Sequence, residues 1–259
     1  MPDRLRRLAR PAVRLVRGRR REGLRDELGF WDSYLRDCHA EVCDPESWEA
    51  AFPGALLPYI QAVAGEGPPP SILELGSGPV SLLAWGVDQG LIRVTAVDPL
   101  ADAYAALLDK HGCSYPVRPR RGDGESLSGL FEDGAFDIAY SSNAIDHTAS
   151  PRRSMEQLAR TVRRGGIIFC EGFVREGSHE GWWGLHQHDL VPEEGHLVEY
   201  GRDHRRTVLT DGLGLDCVQQ EVRPFTERSL TTHGHAWPPE EPGDQLHHDW
   251  YTLVWRVSR

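Results

Sequence analysis

Residues 71–83, SILELGSGPVSLL, decide how this chain is read. An apolar run from Ser71 to Leu75 stops at Gly-Ser-Gly-Pro and resumes at helical spacing. Gly76 and Gly78 carry no Cβ, so the backbone can turn sharply there and a ligand can approach it closely. A helix opening at Pro79 would aim its N-terminus at the same place. Taken alone, the loop is equally consistent with a plain structural corner, and its neighbours must decide.

Strand and helix signals alternate downstream. Ile92–Asp98 is rich in β-branched residues, and Pro99–Gly112 is helical with Gly112 as its stop. A weaker strand lies at Pro116–Arg121. Phe136–Ser142 is a further strand, Pro151–Arg163 a helix and Gly165–Phe173 another strand. Strands separated by helices of about 10–15 residues predict a parallel sheet covered by helices on both faces. Beyond Phe173 come a His- and Trp-rich stretch, Arg175–Tyr200, and a helix near Asp203–Asp211. Two closing strands follow, Leu215–Val222 and Asp249–Val257, separated by the irregular segment Arg223–Gln245. Upstream, Leu24, Leu28, Trp31 and Leu35 mark one helix face within residues 22–37. Residues 46–64 read as a helix or helix pair broken at Pro53 and Pro58, and Gly65–Pro70 as a stiff linker.

At 259 residues with 39% apolar and 26% charged content, the chain is long and apolar enough for one large globular domain. No run approaches the ~20 apolar residues of a membrane span. The N-terminus lacks an apolar stretch followed by a cleavage site, so a cytoplasmic location is expected. The five cysteines form no CxxC pair and read as reduced thiols. Cys38, His39 and Cys43 fit no usual zinc spacing. The net charge is −10, although the first 25 residues hold ten arginines against Asp3 and Glu22. The remainder is therefore strongly acidic, which argues against nucleic-acid binding. Leu5, Leu8, Ala12, Leu15 and Val16 recur among those arginines, so the arm could meet an anionic membrane surface or an acidic carrier protein. A solvated terminus is the simpler reading.

Asp98 sharpens the reading of the loop. It ends the second strand about twenty residues on, where a carboxylate can accept hydrogen bonds from both ribose hydroxyls of a nucleoside. A dinucleotide site usually carries a third glycine, but Ser81 stands in that position. Glu74 would also be unwelcome beside a pyrophosphate and suits a cationic ligand. On these residues LELGSGP resembles motif I of the class I S-adenosylmethionine-dependent methyltransferases.

The resemblance runs from Ser71 to about Phe173 through four ordered stations. It implies a Rossmann-like α/β fold with a seven-stranded, mostly parallel sheet, helices on both faces and a C-terminal antiparallel hairpin. The implied cofactor is S-adenosyl-L-methionine. Glu74, Gly76, Ser77 and Gly78 would lie against its amino-acid part, Asp98 would hold the ribose, and Pro99 and Leu100 would flank the adenine. Asp123 and Gly124, in GDGESL, would also meet the adenine. Ser142 and Asn143, in SSNAIDH, would sit near the methionine part and the substrate mouth. VDPLADAY and GLHQHDL resemble a bacterial subgroup with an LHQWN-like stretch, in which His188 replaces an aromatic residue. The implied organisation is a basic arm (1–21) and a single domain (22–259). Within that domain lie a helical cap (22–69), a cofactor-binding core (70–173), and a substrate-side insertion with the closing strands (174–259).

Two histidines are candidate bases. His147 follows the fourth strand at the ligand-binding end, and His186 lies in the stretch after the fifth. Either could serve a hydroxyl nucleophile near neutral pH or simply pack. Asp146 could orient a histidine or cap the following helix, the cap being the simpler reading; Glu171, ending the fifth strand, points to the same rim or is solvated. Trp182, Trp183, Trp237 and Trp250 are candidate pocket walls as well as anchors. Nine of the twelve histidines lie from His179 onward, in pairs such as His186/His188, His233/His235 and His247-His248. No matching carboxylate motif accompanies them, so no metal is expected. The expected activity is methyl transfer to a small polar acceptor, an oxygen of a sugar-like or secondary metabolite. A nicotinamide-dependent oxidoreductase and a catalytically silent cofactor- or carrier-binding module are the alternatives.

Overall fold

The computed structural model describes residues 22–225 and 249–259. The arginine-rich arm, Trp237, the histidines from 233 to 248 and most of the Arg223–Gln245 segment lie outside the described residues. No helix among the described residues is long and apolar enough to cross a membrane.

Seven strands form the main sheet: β1 (Ser71–Leu75), β2 (Arg93–Asp98), β3 (Arg120–Arg121), β4 (Phe136–Ser142), β5 (Val162–Phe173), β9 (Leu215–Pro224) and β10 (Asp249–Val257), in the order β3-β2-β1-β4-β5-β10-β9. The pairs from β3 to β5 are parallel, whereas β10 is antiparallel to both β5 and β9. The order reverses between β1 and β4, which opens a crevice beyond their carboxyl ends. A second sheet, absent from the sequence reading, joins β6 (Asp189–Glu193), β7 (His196–Tyr200) and β8 (Arg206–Val208) in antiparallel fashion.

Strand periodicity explains the layering. Leu73, Leu75, Ala139, Ile168 and Cys170 join one buried cluster, whereas Ile72, Ile138, Tyr140, Ile167 and Phe169 join the cluster on the opposite face. The first face is covered by α7 (Pro151–Thr161) and the small sheet, through Met155, Leu158, Leu190 and Leu197. The second is covered by α4 (Leu57–Val63), α5 (Ala84–Asp88) and by Phe52 and Leu56, which lie between α3 (Pro45–Ala51) and α4. A third cluster packs Trp31, Tyr34 and Leu35 of α1 (22–37) and Val42 of α2 (His39–Val42) against Tyr104 and Leu108 of α6 (Ala101–His111). Pro58 opens α4 rather than breaking a helix, as a proline at the first turn does.

Two expectations fail locally. No helix opens at Pro79: residues 79–83 are irregular and α5 begins only at Ala84. Ser81 explains this, because its hydroxyl donates to Glu74 at 2.6 Å and its carbonyl accepts from the Tyr115 hydroxyl at 2.9 Å. Both groups are thereby fixed by tertiary contacts. The helix expected near Asp203–Asp211 is instead β8, where β-branched Thr207 and Val208 pair with Glu199 and Val198 of β7.

Gly76 leaves β1 at φ +73°, and a Cβ there would collide with the Ala144 side chain. Gly90 has φ +65° but open space around it. Gly90→Ala should therefore cost only backbone strain, about 1–2 kcal/mol. Gly76→Ala should cost clearly more in urea unfolding, and equal losses would remove the collision from the account.

Candidate functional site

The crevice beyond β1, β2 and β4 is a cavity of about 350 Å³. The residues expected to bind the cofactor and the two candidate histidine bases all line it: Glu74, Gly76, Ser77, Gly78, Asp98, Pro99, Leu100, Asp123, Gly124, Ser142, Asn143, His147 and His186. These come from five separated stretches of chain, brought together because successive parallel strands end on the same side of the sheet.

Asp98 organises the cofactor-side wall. Its Oδ2 accepts from the Gly78 N–H at 3.2 Å and its Oδ1 from the Leu100 N–H at 2.8 Å. Burial pushes its carboxyl up to about 6, against those two backbone hydrogen bonds. Gly78 has φ +59°, and a Cβ there would lie 2.9 Å from the Trp31 ring. The loop is thus a narrow cradle that a larger residue would fill. Glu74 is buried behind it and pushed up to about 7, first by burial, with Ser81 opposing and Asp98 adding to the shift. Ser81, at the third glycine position of a dinucleotide fingerprint, is committed to that carboxylate.

The opposite end carries a polar cluster. His147 Nε2 lies 3.1 Å from His186 Nδ1, and Asp146 Oδ2 lies 3.3 Å and 3.6 Å from those two nitrogens. Glu176 Oε1 is 3.5 Å from His186 Nδ1 and accepts from Asn143 Nδ2 at 3.3 Å. Asp146 is fully enclosed; burial would raise its carboxyl, but His147 and His186 hold it down to about 2. Burial would lower His186, and the Asp146 carboxylate raises it instead. Glu176 is pushed well above its ordinary range by burial and by Asp146.

Local structure aims these groups. Asn143 takes a left-handed φ of +46°, which asparagine tolerates, and turns the chain out of β4. His147 follows in a tight turn with its N–H on the Ala144 carbonyl. In the LHQ stretch, the Gln187 amide donates to the Trp182 and Gly184 carbonyls at 2.8 and 3.0 Å, which folds the loop and presents His186. His188 turns away to Glu199 at 2.6 Å. The His186/His188 pair therefore does not share one site.

Other expectations are corrected. Of the two readings of Asp146, the cap fails, since Ser150 caps α7 by accepting from the Arg153 N–H, and the place beside a histidine holds. Glu171 does not reach the rim, because it is buried between the Tyr140 hydroxyl at 2.6 Å and the Trp250 indole at 3.4 Å. Glu176 was missed entirely. Its only sequence signal was an acid shortly after a strand end, and its relevance depends on the short helix α8 (Glu176–His179) folding back over the cavity. Aromatic walls come from Trp31, Phe173, Phe225, Trp250 and the exposed Trp183, whereas Trp182 stacks under Arg202.

Residues 73–170 match a family model described as a methyltransferase domain. That stretch of the chain is similar to the methyltransferase domain, in keeping with the resemblance of its glycine loop and Asp98. An uncharacterised methyltransferase of Mycolicibacterium gilvum is 32% identical over 111 residues, a span covering 43% of this chain and 42% of that protein. The match thus covers less than half of that curated relative. Phosphoethanolamine N-methyltransferase 2 of Haemonchus contortus, solved with S-adenosyl-L-methionine, superposes with a TM-score of 0.52 at 14% identity, over 83% of this chain and 58% of that one. The cyclase SpnF gives a TM-score of 0.50 at 15% identity, over 79% and 80%. At these identities the likeness is one of fold. The family's cofactor is S-adenosyl-L-methionine, and the glycine cradle with its buried carboxylates fits a ligand that combines a ribose with a cationic head.

Burying the Glu74 charge opposes folding. Its carboxyl titrates near 7 when folded, against an ordinary value of 4.5, so the penalty is full above about pH 7 and vanishes below about pH 4.5. Glu74→Gln should therefore raise stability at pH 8, by up to about 3 kcal/mol, and little at pH 5. Urea unfolding of both proteins at the two pH values measures this.

Proposed function

We propose that this protein is an S-adenosyl-L-methionine-dependent methyltransferase acting on a small polar acceptor, an oxygen of a sugar-like or secondary metabolite. The observation that carries the reading is that the Gly76–Gly78 loop with Asp98 and the His147–His186 pair line one cavity. Asp98 would hold the ribose hydroxyls, and Glu74 with the loop would face the amino-acid part. Pro99, Leu100, Asp123 and Gly124 would enclose the adenine. Ser142 and Asn143 would border the methionine part, next to the cluster.

When bound, the cofactor supplies a methyl group already activated on a sulfonium sulfur. The remaining work is alignment, worth roughly 7–11 kcal/mol when complete. The cluster of Asp146, His147, Glu176 and His186 would hold the acceptor hydroxyl. The cluster's part would be to keep that oxygen directed at the methyl carbon, so that its new bond would replace the carbon–sulfur bond, whose electrons would remain on sulfur. The hydroxyl proton leaves through the cluster to water. An oxygen acceptor is favoured over nitrogen because only the hydroxyl must shed a proton to become a strong nucleophile. Trp183, Phe173, Phe225 and Trp250 would supply an aromatic wall for the body of the acceptor. The nicotinamide alternative is disfavoured by the antiparallel β10 and by Ser81 at the third glycine position.

Asp98→Ala should weaken S-adenosylhomocysteine binding by roughly 1.5–3 kcal/mol, the range for hydrogen bonds to a charged group. In the wild type, affinity should fall as pH drops below about 6, because the protonated carboxyl loses its capacity to accept from both hydroxyls. Calorimetric titration between pH 5 and 8 tests both, and an unchanged affinity in a folded Asp98→Ala variant would sink the assignment. His147→Ala and His186→Ala should keep cofactor binding while turnover falls about 100-fold or more in an acceptor screen. Wild-type rates in both would dismiss the cluster.

A further inference from the structure

The cluster of Asp146, His147, Glu176 and His186 has a geometry that methyl transfer does not require. One ligating atom from each residue lies within 4.8 Å of all the others. Asp146 Oδ2, His147 Nε2 and His186 Nδ1 form a triangle with edges of 3.1, 3.3 and 3.6 Å, and Glu176 Oε1 stands 3.5 Å from His186. Four donors held tetrahedrally at about 2.0–2.2 Å from a metal ion are separated by about 3.3–3.6 Å. The observed edges already approach that spacing.

Hydrogen bonding alone accounts poorly for the arrangement. Two ring nitrogens and one carboxylate oxygen converge on one another instead of pairing off. Asp146 Oδ2 and Glu176 Oε2 are both shut away from solvent and receive no hydrogen bond of acceptable geometry. Leaving such oxygens buried and unmet is costly, and a cation in the triangle would satisfy Asp146 Oδ2, with Glu176 Oε1 within reach of the same ion. Two acids within a few ångströms, enclosed in protein, also favour a positive charge between them.

We propose that these four residues form a binding site for a divalent transition-metal ion of the Zn2+, Mn2+ or Fe2+ class. Two imidazoles select such borderline ions over Mg2+ and Ca2+, which prefer all-oxygen shells. The site faces the cavity through His147, His186 and Glu176. Under the methyl-transfer reading the ion would hold the acceptor oxygen, but metal binding does not depend on that reading. The sequence offered no carboxylate motif beside the histidines; folding brings two carboxylates to them, from positions 146 and 176.

The test is cobalt titration of the untagged, chelator-stripped full chain, followed in the visible range and by metal analysis after dialysis. His39, Cys43 and Cys113 form a second donor group, so Cys43→Ser serves as the control. The expected result is one Co2+ held with visible bands lacking thiolate charge transfer, displaced by Zn2+, and unaffected by excess Mg2+. His147→Ala and His186→Ala should each weaken uptake at least tenfold, while Cys43→Ser leaves it unchanged. Binding of S-adenosylhomocysteine, measured on the same variants, reports folding and tests the cofactor reading separately. Uptake that is absent, abolished by Cys43→Ser, or undiminished in both histidine variants would overturn the site.

Discussion

Two backbone N–H groups close on one buried carboxylate, and the rest of the site depends on that contact. Asp98 ends β2 and binds the amides of Gly78 and Leu100, so the loop leaving β1 and the turn leaving β2 are locked to the same group. The carboxylate loses hydration by burial, and the two donors replace only part of it. A group held this way is pre-positioned for a ligand that brings further donors. The loop can come so close only because Gly76 and Gly78 take left-handed backbone angles beside Ala144 and Trp31.

The sheet turns this local contact into a site. Parallel pairing from β3 to β5 puts five strand ends on one side, and the reversal of order between β1 and β4 leaves room there. Ser141 Oγ donates to the Leu75 carbonyl at 3.1 Å, which ties the two diverging strands just below the crevice. From that tie Asn143 carries the chain towards Asp146 and His147. Helix α1 and the 182–186 loop roof the cavity, with Gly23 packed so closely on Gly184 and Leu185 that a Cβ would meet their backbone at 2.7 and 2.8 Å.

The two ends of the cavity differ in how their charge is balanced. Asp98 and Glu74 are raised carboxyls with neutral partners. Asp146 is a lowered one, held between two imidazoles, next to a raised Glu176. The first arrangement suits hydroxyl and cationic groups of a ligand, and the second suits a cation or an oxygen that gives up a proton. One cavity therefore offers two chemically distinct surfaces that face each other.

Much of this was legible in the order of residues. The glycine loop, the acid ending β2, the alternation of strands with helices and the two closing strands depend on local rules of turn chemistry and periodicity, which a single sequence carries. His147 and His186 were also visible, as histidines placed after strand ends. Their pairing at 3.1 Å was not, since it depends on how the 182–188 loop folds back under the hold of Gln187. The role of Glu176, the inward turn of Glu171, the late start of α5 and the small antiparallel sheet were likewise hidden. Each rests on contacts between residues far apart in the chain, such as Tyr115 with Ser81 or Glu171 with Tyr140 and Trp250. Local propensity determined the framework of the cofactor side, and only tertiary packing decided which acids and histidines share the far end, because their convergence is encoded in no single stretch of chain.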